Sequence, residues 1–133
     1  MKSTLVKTWT TKAGLKAAII LTQGTHHCGY VEAPIALKNR DYNSIDEHID
    51  VHGGITFSGE LTMLPDMGWM FGYDCNHWND KQLCTPEMEA AGLSGLSMYQ
   101  HGEWRDEAYC TEECESMASQ LISLNINKLI GKV

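Results

Sequence analysis

Two short runs of this chain carry most of the side chains able to do chemistry. The first is His52-Gly53-Gly54. The second holds Asp74, Cys75, His77 and Asp80, spaced as Asp-Cys-x-His-x-x-Asp. Thiolate, imidazole and carboxylate together are the ligand set of borderline-soft metals, and Zn²⁺ is the cofactor such donors would take. A metal set drawn from these runs would be His52, Cys75, His77 and Asp80. The spacing matches neither a C-x₂-C pair nor H-E-x-x-H. The same groups suit proton transfer, because a carboxylate beside an imidazole orients it and raises its pKa. A nucleophile would have to be Cys75, Cys28 or Ser58, and Ser58-Gly59 lacks the G-x-S-x-G elbow.

Ligand binding asks least of these residues. Gly53-Gly54 lets a ligand reach the backbone, Tyr73 and Trp78 offer flat faces for stacking, and Asp74, His77 and Asp80 can bond hydroxyls. The expected pocket is therefore His52, Gly53, Gly54, Tyr73, Asp74, His77, Trp78 and Asp80. The structural alternative is that the glycines are turns and the aromatics are core. That alternative is preferred for Trp69 and Phe71, which alternate along one strand. His26-His27-Cys28, at a hairpin tip, reads as a solvated turn.

The elements that must position these groups follow from the apolar pattern. Leu5–Trp9, Leu15–Thr22 and His27–Val31 read as strands separated by turns at Lys12-Ala13-Gly14 and Gln23-Gly24-Thr25, an antiparallel meander. Ile49-Asp50-Val51 and Ile55-Thr56-Phe57 read as one strand interrupted by Gly53-Gly54. Trp69–Asp74 is an aromatic strand. Thr85-Pro86 marks a helix start, as N-cap and first helical residue, for one or two turns near Glu87–Ala91. From Asp106 to about Leu124, the residues Cys110, Cys114, Met117, Leu121 and Leu124 repeat at steps of four and three, one face of a helix. That spacing puts Cys110 and Cys114 in the core, while Glu112 to Glu115 reads as a solvated face. Asn125–Val133 either extends the helix or adds a short strand. Many strands followed by one long helix argue an α+β fold, with a mainly antiparallel sheet of about five strands packed by the C-terminal helix.

The length of 133 residues sets a single domain, 1–133, large enough to bury a core without staples. The net charge of -7 repels phosphate backbones, so duplex nucleic acid is not an expected partner. No apolar run reaches a membrane span, so no membrane partner is expected. The five cysteines are an odd number, and the N-terminal residues lack a signal-peptide core, which points to free thiols in a cytoplasm.

The runs Val51-His52-Gly53-Gly54-Ile55-Thr56-Phe57 and Trp69 to Asp80 resemble a group of small uncharacterised proteins of phage and prophage genomes. Their pattern is similar to HGG-[IL]-T-[FY] followed by W-x-[FI]-G-[FY]-D-C-x-H-x-x-D. Here Trp78-Asn79 stands where the group has small residues. The resemblance implies a phage-derived module in the cytoplasm of an infected bacterium, and by analogy a role in countering host defence. Three functions follow as expectations. One is binding of a small polar, nucleotide-like ligand. The second is a small hydrolase, metal-dependent or not, built on the same polar groups. The third is an inhibitor that covers a host defence protein with its acidic surface.

Overall fold

In the computed structural model, which describes residues 2–129, one antiparallel sheet carries a long helix across its face. The strands are β1 (Thr4–Thr10), β2 (Lys16–Thr22), β3 (His26–Glu32), β4 (Phe57–Glu60) and β5 (Trp69–Asp74). They lie in the order β1-β2-β3-β5-β4, so the expected meander is present and β5 enters beside β3. Two short helices, α1 (Pro86–Ala90) and α2 (Ser97–Gln100), precede the long α3 (Glu107–Leu129). Thr85 caps α1, its hydroxyl accepting from the Met88 N–H. The expected α+β fold, a five-stranded sheet packed by a C-terminal helix, is what the chain forms. Among the described residues no helix is long and apolar enough to cross a membrane.

The core lies between the sheet and α3. Cys110, Cys114, Met117, Ala118, Leu121 and Leu124 of the helix meet Ala17, Ile19, Val31, Phe71 and Tyr73 of the sheet, all buried. The step of four and three in the helix and the step of two in the strands are thus two views of one interface. Tyr73 crosses to Gly29, its cross-strand partner. A methyl group at Gly29 would overlap the Tyr73 ring, so this row of the sheet closes only with glycine there. Asp106 opens the helix, its carboxylate accepting from the Tyr109 N–H at 2.8 Å. The helix runs on past Leu124 to Leu129, so of the two expectations for the tail the extension holds that far; residues 130–133 lie outside the described residues.

Two expectations are corrected. Ile49–Val51 is not a strand, and β4 begins only at Phe57. Ile49, Val51 and Ile55 do point alternately into the core, but the backbone of the intervening Asp50 and His52 pairs with helix side chains. The Gln120 amide accepts from Asp50 N at 2.6 Å and donates to Asp50 O at 2.8 Å, and Glu113 accepts from His52 N at 2.7 Å. The alternation came from burial, and the donors and acceptors that a neighbouring strand would supply come from α3. Glu113 and Glu115 are accordingly more than a solvated face; Glu115 also binds the Trp9 indole at 2.8 Å and Lys12 N at 3.0 Å. The second correction concerns His26, His27 and Cys28, which are buried rather than solvated, because β5 and the segment before α3 close over them.

The interface is expected to dominate stability. Leu121→Ala, at a fully buried position, should cost about 2–5 kcal/mol in urea unfolding. Ile126→Ala, on the exposed side of α3, should change it by less than about 0.5 kcal/mol.

Candidate functional site

Three segments deliver the polar groups to one end of the sheet. The loop before β4 makes a turn at Val51–Gly54, closed by Gly54 N–H to Val51 O at 2.8 Å, and presents His52. The loop leaving β5 turns at His77–Asp80, where Asp80 N donates to His77 O at 2.9 Å. The segment before α3 runs alongside this loop, with Glu103 N bonded to Asn79 O and Lys81 N to Glu103 O, and so presents Arg105, with Tyr109 following in the first turn of α3.

Asp80 is the centre. Its side chain is 1% exposed, yet it is fully satisfied. One oxygen, Oδ2, lies 2.9 Å from His52 Nε2, 2.9 Å from His77 Nδ1 and 3.1 Å from the His77 amide. The other, Oδ1, accepts from Arg105 Nε at 2.9 Å. Burial pushes this carboxyl up, but the bonds from His52, Arg105 and His77 together outweigh it and hold it down at about 2. An ionised carboxylate only accepts, so His52 Nε2 and His77 Nδ1 carry protons in this network. A neutral His52 then accepts from the Tyr109 hydroxyl at its Nδ1, 2.7 Å away. His77 Nε2 is left towards Asp74, whose Oδ1 is 3.6 Å away. Asp74 is itself fixed by Thr56 Oγ1 at 3.0 Å and by Asn76 N at 3.1 Å.

Gly53 is part of this geometry for a steric reason. It has φ of +68°, and a methyl group there would overlap the His77 ring. The glycine pair is therefore a turn that lets an imidazole lie against the backbone, and not a bulge inside a strand.

His52, Gly53, His77, Trp78, Asn79, Asp80 and Arg105 line an open recess of about 250 Å³. Trp78 is 73% exposed at its rim, its ring 4.8 Å from that of His101. Of the residues expected from sequence, His52, Gly53, His77, Trp78 and Asp80 come together, and Asp74 and Gly54 adjoin them. Tyr73 does not. It is 1% exposed under α3, and its hydroxyl donates to Cys110 O at 3.0 Å. Cys75 also departs from the expected metal set, its sulfur turned into the core 3.8 Å from that of Cys110. Strand alternation did not separate Tyr73 from the site because the sheet ends one residue later, where inside and outside exchange.

Sequence reasoning missed Arg105, Tyr109, Glu103 and Glu113. The signal available was Arg105 itself, one of only two arginines, set among acidic residues just before a helix start. Among the described residues, His52, His77 and Asp80 form the one group of three or more His, Cys, Asp or Glu suited to a metal ion, with donor atoms within 4.8 Å of one another.

A second buried cluster lies next to the first. His27 Nδ1 meets Arg105 O at 2.8 Å, and the Cys110 sulfur lies 4.0 Å from the same oxygen. A bond from the Cys75 thiol, supported by His27 and Tyr73, favours the Cys110 thiolate against burial, while the Cys75 thiol is pushed up by that bond and by burial.

No family model, curated protein or solved structure matches this chain.

Two outcomes are expected from this geometry. Gly53→Ala should cost about 1–3 kcal/mol for its backbone alone and should displace the His77 ring, read as changed imidazole NMR shifts at His77. The carboxyl of Asp80 lies near 3.8 when unfolded and near 2 when folded. Its contribution to stability is thus complete above about pH 4 and lost as pH falls through 2. Asp80→Asn should flatten that part of the acid-unfolding curve.

Proposed function

We propose that this chain binds a small polar ligand through a divalent metal ion of the zinc class, held by His52 Nε2, His77 Nδ1 and Asp80. The observation that carries the reading is that each of the three has a partner at its other end. Tyr109 stands on His52 Nδ1, Asp74 faces His77 Nε2 and Arg105 holds Asp80 Oδ1. Metal-binding imidazoles and carboxylates are oriented by such outer contacts. An ion entering here would take the place of the two ring protons shared with Asp80, which would move to His52 Nδ1 and His77 Nε2, so that the rings would then donate to the Tyr109 oxygen and face Asp74. Charge supports the same occupant, since Asp74, Asp80, Glu103 and Glu113 surround the cluster against the single guanidinium of Arg105. A bare anion would meet that negative field, whereas a cation neutralises it and then recruits oxygen ligands.

Two imidazoles and a carboxylate leave a tetrahedral ion with one open position. His52, His77 and Asp80 line the recess, so a ligand there would meet the ion together with the backbone of Gly53 and the exposed face of Trp78, which suits one that is polar at one end and flat at the other. The volume falls just below the usual range of ligand pockets, in keeping with a ligand no larger than a mononucleotide. The open position also favours a second reading, hydrolysis, because a water bound there by zinc ionises near pH 7. The motif resemblance supplies the biological setting of this proposal, a phage-derived cytoplasmic module that removes a small molecule used in host defence.

Chelator-competition titration of the metal-free protein tests it. One Zn²⁺ per chain is expected, with affinity about 10–100-fold weaker in Tyr109→Phe, a variant that leaves the ligating atoms in place. His77→Gln, at a half-exposed position, should abolish stoichiometric binding with the fold retained by circular dichroism. A folded wild-type protein that takes up no zinc at neutral pH would remove the metal, and would leave the host-protein inhibitor as the next reading. Incubating the loaded protein with candidate nucleotides separates binder from hydrolase, since a binder returns its ligand unchanged on denaturation.

A further inference from the structure

The buried thiol cluster takes no part in the reading above. Cys75 follows β5 directly, and Cys110 sits in the first turn of α3. Their sulfurs are 3.8 Å apart, and the two residues are 2% and 0% exposed. A disulfide has its sulfurs about 2.05 Å apart, so the remaining gap is shorter than about 2 Å and is shared between two side chains. The other thiols are placed differently. Cys114 faces the Tyr73 hydroxyl at 3.7 Å, Cys28 accepts from Thr22 Oγ1 at 3.1 Å, and Cys84 is half-buried. Among the described residues, the only pair of thiols in contact is Cys75 with Cys110.

His27 gives this pair a base. A backbone carbonyl only accepts, so the bond between His27 Nδ1 and Arg105 O places the ring proton on Nδ1 and leaves Nε2 with a lone pair. The Cys110 sulfur lies 4.0 Å from the same Arg105 carbonyl, so ring and thiol converge on one oxygen and an imidazole stands ready to take the thiol proton.

We propose that Cys75 and Cys110 form a redox-active dithiol, with His27 as the base for Cys110 and a hydroperoxide as the oxidant. The Cys110 thiolate attacks one peroxide oxygen. An S–O bond forms, the O–O bond breaks, and the leaving oxygen departs as water or alcohol with the proton that His27 had taken. The Cys75 sulfur then attacks the sulfur of the Cys110 sulfenic acid. The S–S bond forms, the S–O bond breaks, and the hydroxide leaves as water with the Cys75 proton. Two thiols are oxidised by two electrons, and one peroxide is reduced. Burial sets the rate, since the oxidant enters as the loop after β5 opens. The cross-link would fasten that loop, which carries His77 and Asp80, to the helix turn carrying Tyr109. None of this depends on what the neighbouring cluster binds.

Peptide mapping after peroxide tests it. Reduced full-length protein is treated with hydrogen peroxide, quenched with iodoacetamide under denaturing conditions, and digested with trypsin, which cuts between the two cysteines at Lys81 and Arg105, and then with a glutamyl endopeptidase, which separates Cys110 from Cys114 at Glu112 and Glu113. The expected product is a mass lower by two hydrogens with the peptides of Cys75 and Cys110 joined. His27→Asn should slow its formation roughly tenfold or more, the effect of removing a proton acceptor. Cys75→Ser should stop at a sulfenic acid on Cys110, trapped by dimedone. Wild-type protein that stays fully alkylatable in excess peroxide, or that cross-links through other cysteines, would overturn the proposal. So would a His27→Asn variant, folded by circular dichroism, that oxidises at the wild-type rate. The wild-type map decides even where a cysteine variant fails to fold.

Discussion

The Asp80 carboxylate, ionised and nearly out of contact with water, is the constraint from which the functional end of this molecule follows. A charge so placed is tolerated only if every acceptor position is filled. Four donors fill it, from the loop before β4, the loop after β5 and the segment leading into α3. Those three segments are otherwise irregular, with few backbone bonds between them. Satisfying Asp80 therefore does for the loops what hydrogen-bonded ladders do for the sheet. The cost of leaving a partner unpaired makes the arrangement specific: Asp80→Ala would remove at once the acceptor of one guanidinium N–H and of two imidazole N–H groups.

The same network separates a structural role from a chemical one. Arg105 and the His77 amide neutralise and position the carboxylate, which a loop staple would need and no more. His52 and His77 go further, bringing two imidazole nitrogens to one carboxylate oxygen while a phenol and a second carboxylate attend their far sides. Two ring protons pointed at a single oxygen occupy the place that a divalent cation would take, with the three donors already converged. That convergence is the feature on which the proposed metal site rests.

The fold was legible because its signals are local. The apolar run of β2, the aromatic run of β5 and the four-three steps of α3 each span only a few residues, and burial against one partner fixes the rest. The candidate site was legible only in part. His52, Gly53, His77 and Asp80 stand out by residue type. Arg105 reaches Asp80 across 25 positions and Tyr109 reaches His52 across 57, separations that no spacing rule encodes. Ile49–Val51 imitated a strand because burial alone imposes period two, and the helix amide of Gln120 filled the missing ladder. His26-His27-Cys28 looked like a wet turn because its cover, β5 and the approach to α3, comes more than forty residues later.

The measurement that bears most directly on the central claim is zinc X-ray absorption on the metal-loaded protein. Two imidazole nitrogens at about 2.0–2.1 Å and carboxylate or water oxygens at about 2.0–2.2 Å, with no sulfur scattering, are what the arrangement of His52, His77 and Asp80 predicts. A sulfur shell near 2.3 Å would bring a cysteine into the coordination sphere. That result would contradict a site in which Cys75 faces the core and the ion rests on the three groups gathered around one carboxylate.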